Sequence, residues 1–136
     1  MTATENKELI RHIMEDGFNK QDMSVVYASF HEDYKRHGHG VPSMGSLAEH
    51  VADLKARHAA FDGARFNIIQ IVGDGDTVAV RYDFTGIHSG TFNDLAATGK
   101  GIKRSSAAFF VIRDGKVAEG NVFADGAGLV AQLRGS

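Results

Sequence analysis

The stretch from Arg65 to Leu133 constrains this chain most. It divides into four strand-length segments punctuated by turn signals at Val72-Gly73-Asp74-Gly75-Asp76, Gly86-Ile87-His88-Ser89-Gly90 and Arg113-Asp114-Gly115-Lys116, and a short apolar tail, Leu129 to Leu133, follows. Asp114-Gly115 is a two-residue hairpin signal, because that tight turn needs positive φ. In the segment Thr77 to Gly86, Val78, Val80, Tyr82 and Phe84 share one face and Ala79, Arg81, Asp83 and Thr85 the other. A loop through Phe92 to Thr98 leads into a strand over Ile102 to Arg113, and a last strand runs from Val117 to about Phe123.

The first half reads as helices. Thr2 and Glu5 have capping-box spacing, and Leu9, Ile10, Ile13, Met14 and Phe18 recur on one helical face. Lys20-Gln21-Asp22 breaks that pattern, and Asp22 caps a short second helix through Val25, Val26 and Phe30. The segment from His31 to Gly45 is irregular or a short extended piece. A third helix starts with the pair Ser46 and Glu49, carries the stripe Leu47, Val51, Leu54, His58 and Phe61, and ends at Asp62-Gly63. Helices first and an antiparallel meander afterwards predict an α+β class, with a curved sheet wrapped around about three helices and a pocket between them.

Bulk properties close off several functions. At 136 residues the chain fits one domain, residues 1–136. With no cysteine, disulfides, thiolate catalysis and Cys-based zinc sites are excluded. A net charge of -2 argues against nonspecific nucleic-acid binding. No apolar run suffices for a membrane helix, and the polar N-terminus lacks a signal-peptide core, so a cytoplasmic location is expected. No GxGxxG fingerprint follows a strand, so nucleotide binding is unsupported.

An ordered set of segments carries a family resemblance. These are Gly17 to Lys20, Phe30 to Tyr34 with His37, Gly73 to Arg81, Thr85 to Gly90, Thr98 to Lys100, Arg113 to Glu119, and Asp125 with Gly128 to Leu133. Together they resemble the SnoaL-like polyketide cyclases of the nuclear-transport-factor-2-like superfamily, over almost the whole chain. The resemblance implies a cone-shaped α+β barrel, a deep apolar pocket, and usually a homodimer through the outer sheet face. It also implies proton-transfer chemistry during an intramolecular aldol closure, with no metal or organic cofactor. The family's catalytic aspartate, counted from the shared Asp-Gly-Lys turn, falls on Val122, and its histidine on Ala108; neither side chain moves a proton. A tryptophan common in the family falls at Asn121. Asp125 matches a later family aspartate but reads first as a cap for the C-terminal helix.

Other residues must then carry any chemistry. Arg81 and Asp83 lie two apart on a strand and so share a face; in a pocket they form a base or substrate clamp, and outside it an ion pair. This R-x-D also looks like part of the limonene-epoxide-hydrolase site, whose third acid falls on Val122. His58, within the third helix's stripe, is either an acid or base in the pocket or a core histidine bonded to backbone. His50 is expected at the surface, and His12 has no assigned role. His37 and His39 form a possible metal pair without a third ligand, so no metal site is assigned, and Tyr34, His37 and His39 are placed near the pocket mouth. His88 sits between glycines, with structural and functional roles equally open. Phe18, Tyr27, Leu54, Phe61, Phe110 and Val122 are expected to line a pocket for a small apolar or aromatic ligand. Three functions compete: a cofactor-free cyclase or isomerase acting on a small carbonyl compound, an epoxide hydrolase using Arg81 and Asp83, and a non-enzymatic binding or dimerisation module.

Overall fold

Local chemistry sets the helix boundaries. In the computed structural model, which describes residues 1–135, α1 spans Ala3–His12. Thr2 and Glu5 close the reciprocal capping box at its start. The helix widens into a π-helical segment, Ile13–Asn19, that buries Ile13, Met14, Gly17 and Phe18. Helix α2, Met23–Ser29, begins at Asp22, whose carboxylate accepts from the Ser24 amide. Helix α3, Leu47–Ala60, begins at Ser46, whose hydroxyl accepts from the Glu49 amide. Helix α4, Gly126–Arg134, begins at Asp125, which accepts from the Gly128 amide; the capping role for Asp125 is thus the one observed.

Five strands form one open, mixed sheet: β1 Phe30–His39, β2 Phe61–Asp74, β3 Thr77–His88, β4 Gly101–Arg113 and β5 Lys116–Ala124. Their spatial order is β1-β5-β4-β3-β2. All neighbours are antiparallel except β1 and β5, which run parallel with Arg36 opposite Gly120 and His39 opposite Phe123. The meander and its turns at Gly75-Asp76 and Asp114-Gly115 match the sequence expectation, with Asp114 and Gly115 both at positive φ, whereas β3 runs on to His88 through the first three residues of the expected Gly86 to Gly90 turn. Two further expectations need correction. The segment after α2 is a full ten-residue strand, and Phe61 opens β2 instead of closing α3. β1 went unread because it lacks an apolar alternation and its partner lies more than 80 residues further along the chain.

The helices cover the concave face. Helix α3 packs on β1 and β2, α1 on β2 and β3, and α4 on β4. Alternate residues of β4, from Ile102 through Arg104, Ser106, Ala108 and Phe110 to Ile112, are buried beneath them. Among the described residues no helix is long and apolar enough to cross a membrane.

Candidate active site

Strand parity decides which polar side chains meet. On β1 the inward residues are Tyr34 and Arg36, whereas Lys35, His37 and His39 face out. On β3 Tyr82 and Phe84 point in, and on β4 so does Arg104. Helix α3 presents Leu47, His50, Val51, Leu54, Arg57 and Ala60 to the sheet, with Asp53 at the margin of that face. This stripe is rotated by roughly 50° from one through Leu47, Val51, Leu54 and His58. The rotation brings His50 and Arg57 into the centre and leaves His58 at the edge.

These residues enclose a cavity of about 30 Å³ lined by Phe18, Tyr34, Arg36, His50, Asp53, Leu54, Arg57, Phe66, Tyr82, Arg104, Phe110 and Val122, with Val41 at its rim. That volume admits roughly one water-sized group. Val41, Asp53, Arg57 and Arg104 also line a larger hollow of about 270 Å³, together with Phe92, Asn93, Leu129 and the first residues of α4. The larger hollow forms the mouth of the smaller one.

His50 is 5% exposed and sits in an aromatic box. Its ring centroid lies 5.7 Å from Phe18, 5.4 Å from Phe30 and 5.2 Å from Tyr34. Among the described residues, neither ring nitrogen has a hydrogen-bond partner, and neither does the Tyr34 hydroxyl. Burial, reinforced by the Arg36 and Arg57 charges and opposed by Asp53, pulls the His50 pKa down to about 4. His50 is therefore neutral at pH 7, with one nitrogen able to accept a proton. Burial pushes the Tyr34 phenol well above its usual range, which keeps it a neutral donor. Gly120 makes room for that hydroxyl: a Cβ there would stand 2.7 Å from Tyr34 Oη and 3.1 Å from the Phe110 ring.

The charged members form a tight network. Asp53 Oδ2 accepts from Arg36 Nη1 and Arg57 Nε, each at 3.3 Å. Arg36 also donates to the Pro42 carbonyl through Nε and Nη2. Arg104 donates through Nε to Ser106 Oγ at 3.2 Å and lies over Phe84. Burial, together with Arg57 and Arg36, lowers the Arg104 pKa to about 10.

Of the residues expected to line the pocket, Phe18, Leu54, Phe110 and Val122 line the cavity, and Tyr34, expected near the mouth, lies in the inner lining instead. Phe61 is fully buried beside it, against Phe84, Phe92 and His88. Tyr27 does not line the pocket; it lies on the solvent side of α2 with 53% of its surface exposed. Arg81 and Asp83 are corrected to the outer sheet face. Asp83 meets Lys103 Nζ at 3.6 Å and Ser105 Oγ at 3.3 Å. Arg81 borders a shallow outer depression with Gln70, Val72, Ala79, Ala107 and Phe109 and no acid. The epoxide-hydrolase arrangement, which needs a second carboxylate there, is not assembled.

The remaining histidines also move. His58 Nε2 donates to the Phe18 carbonyl at 2.7 Å, tying α3 to the π-helical segment outside the cavity lining. His37 and His39 face outward, away from the mouth: His37 meets Glu119 at 2.6 Å, and His39 stacks on Phe123 at 4.1 Å. His88 is buried and accepts from the Thr98 amide through Nδ1, which fixes the loop before β4. Among the described residues no cluster of three or more His, Asp or Glu could hold a metal ion. His50 is corrected from surface to cavity. Arg36, Asp53, Arg57 and Arg104 were missed, although the inward parity of Arg104 after Ile102 and the 3-4 spacing of His50, Asp53 and Arg57 were both available.

A family model described as SnoaL-like polyketide cyclase matches residues 8–133. No protein of curated function matches the chain in sequence. Among solved structures, a candidate SnoaL-like polyketide cyclase from Jannaschia sp. CCS1 superposes with a TM-score of 0.89 at 19% identity, covering 98% of this chain and 94% of that one. A candidate polyketide cyclase from Acidithiobacillus ferrooxidans gives 0.85 at 24% identity, with 99% of both chains covered. AclR, a candidate hydroxylase from Streptomyces galilaeus, gives 0.87 at 23% identity, covering 99% of this chain and 84% of that one.

Proposed function

The chain belongs to the SnoaL-like polyketide cyclase family, and from that premise we propose that it cyclises or isomerises a small carbonyl compound by acid–base chemistry centred on His50 and Tyr34. The observation that carries this reading is a buried imidazole with two unpartnered nitrogens beside an unpartnered phenol, both facing one cavity. His50 takes a proton from the carbon next to the carbonyl. The electron pair moves to the carbonyl oxygen, and Tyr34 donates a hydrogen bond to that developing oxyanion. The enolate then attacks a second carbonyl in the same molecule, or is reprotonated at another carbon. His50 returns the proton, so the site ends as it began.

The two volumes set how the substrate sits. The inner cavity accepts only the reacting carbonyl, and the rest of the molecule occupies the mouth. Phe18, Phe66, Phe110 and Val122 favour an apolar or aromatic substrate. Val122, where the resemblance puts the family's aspartate, supplies wall rather than chemistry.

The test is exchange of the benzylic protons of 2-naphthylacetone for deuterium, followed by NMR. Wild type accelerates exchange over buffer, and His50→Gln loses ~10²–10⁴ of that acceleration, the usual worth of a general base. Equal exchange by wild type and His50→Gln would falsify the assignment. A second reading, a binding module without turnover, is favoured by the small inner cavity; saturable binding of the ketone with no exchange would establish it.

The outer sheet face supports the homodimer the family implies. It exposes Val72 and Phe109 around two shallow depressions, with Phe123 edge-on to Phe109 beside them. Light scattering at micromolar concentration reads a dimer for wild type and a monomer for Phe109→Asp.

A further inference from the structure

The mouth of the cavity carries more positive charge than its own residues balance. Arg36, Arg57 and Arg104 are 7%, 6% and 4% exposed, so all three residues are more than nine-tenths buried. The lining of cavity and mouth contains one carboxylate, Asp53, and its Oδ2 already accepts from two of the three. Among the described residues, Arg57 Nη1 and Arg104 Nη1 are buried without a hydrogen-bond partner. An unbalanced buried charge is costly, and a fold that keeps two of them gains from a counter-ion.

Both orphaned groups are also held in place. Arg104 Cζ lies 5.3 Å and Arg57 Cζ 5.8 Å from the centre of the same Phe84 ring, and Arg57 Cζ lies 5.6 Å from Phe92. Contact with aromatic faces fixes a guanidinium plane while leaving its N–H edge free, the geometry that receives a planar carboxylate. Arg57 and Arg104 line the inner cavity and the mouth alike, so they stand where the body of a substrate meets its reacting end.

We infer that the natural substrate is an organic acid, whose carboxylate is held by Arg57 and Arg104 at the mouth while its carbonyl reaches His50. This rests on the His50 reading for the chemistry and on the arginine geometry for the charge. The carboxylate also has an effect on the base. His50 faces Arg36 and Tyr34 from β1, Asp53 and Arg57 from α3, and Phe18 from the π-helical segment. Burial first, and then two of those groups that are cations, hold it deprotonated, and a seated anion offsets the cations. Proton transfer is thereby favoured when the acid is bound.

The experiment measures binding alone, by calorimetry, with 2-naphthoate and its uncharged isostere 2-naphthamide. Wild type binds the acid at least about 10-fold more tightly, a typical margin for a charge-assisted contact. Arg104→Met and Arg57→Gln abolish that preference, and Arg104→Lys retains part of it. Arg104→Met, freed of an unbalanced charge, melts no lower than wild type in the absence of ligand. Equal binding of acid and amide by wild type, no binding of the acid at 5 mM (on the order of the weakest affinity worth a site), or an acid preference that survives Arg104→Met overturns the inference. Should Arg104→Met fail to fold, the wild-type comparison alone decides. Exchange of 2-naphthylacetone involves no carboxylate, so failure of the base and failure of the anion seat are read separately.

Discussion

The two faces of this sheet carry the same chemistry to opposite ends. On the outer face Asp83 meets Lys103, whose side chain is 68% exposed, and Arg81 stands nearby in solvent. On the inner face Asp53 meets Arg36 and Arg57 with little water present. The outer charges are screened and worth about 0–1 kcal/mol, whereas inner ones shift pKa values and leave orphaned donors that a ligand can use. An Arg-x-Asp pattern says nothing about function until parity assigns it a face.

The largest effect that separates the faces is removal of each acid. Asp53→Asn leaves three buried guanidinium groups without a counter-charge and is expected to destabilise the fold by roughly 3–5 kcal/mol. Asp83→Asn changes stability by less than about 1 kcal/mol and leaves proton exchange within about 2-fold of wild type. Urea denaturation checks both, and equal losses for the two variants would erase the distinction between the faces.

Acid provides the next test. His50 is neutral in the fold down to about pH 4 but takes up a proton near pH 6.5 when unfolded. The unfolded state therefore binds more protons between those values, and stability falls as pH drops through that window. The His50 contribution, present in full above pH 6.5, declines by roughly 3 kcal/mol by pH 4. His50→Phe should flatten this slope, while His37→Phe on the outer face should not. A slope unchanged in His50→Phe would place the acid sensitivity elsewhere.

The smallest effect concerns room instead of charge. Gly120→Ala brings a methyl group against Tyr34 Oη and Phe110, at an expected cost of about 1–3 kcal/mol for overpacking. A truncation at the adjoining, outward position, Asn121→Ala, should cost less than about 1 kcal/mol. Thermal melts rank the two variants.

What the sequence disclosed follows from how local each signal is. Thr2, Asp22, Ser46 and Asp125 cap helices through atoms at most three residues away, and the Asp114-Gly115 turn is similarly self-contained. These were legible. The inner face of α3 was not, because Leu47, Val51 and Leu54 fit two stripes, one continuing to His58 and the other taking in His50 and Arg57. Choosing between them requires knowing which side meets the sheet. β1 was hidden for a related reason: Lys35 to His39 shows no apolar alternation, and its ladder is completed only by β5. The candidate site draws on both unread elements. The apolar wall from Phe18, Phe110 and Val122 was foreseen, and the polar centre was not.

The parallel seam between β1 and β5 pairs the first strand with the last, Phe30 against Val117 and His39 against Phe123. Tyr34 and Arg36 ride on that first strand, so the pocket's hydrogen-bonding wall cannot close until nearly the whole polypeptide has been threaded and docked. Contacts spanning so much chain carry a large loop-closure entropy and form late. Assembly order is thus written into the topology: the meander and its greasy lining come first, and the polar wall of the cavity closes as the final event of folding.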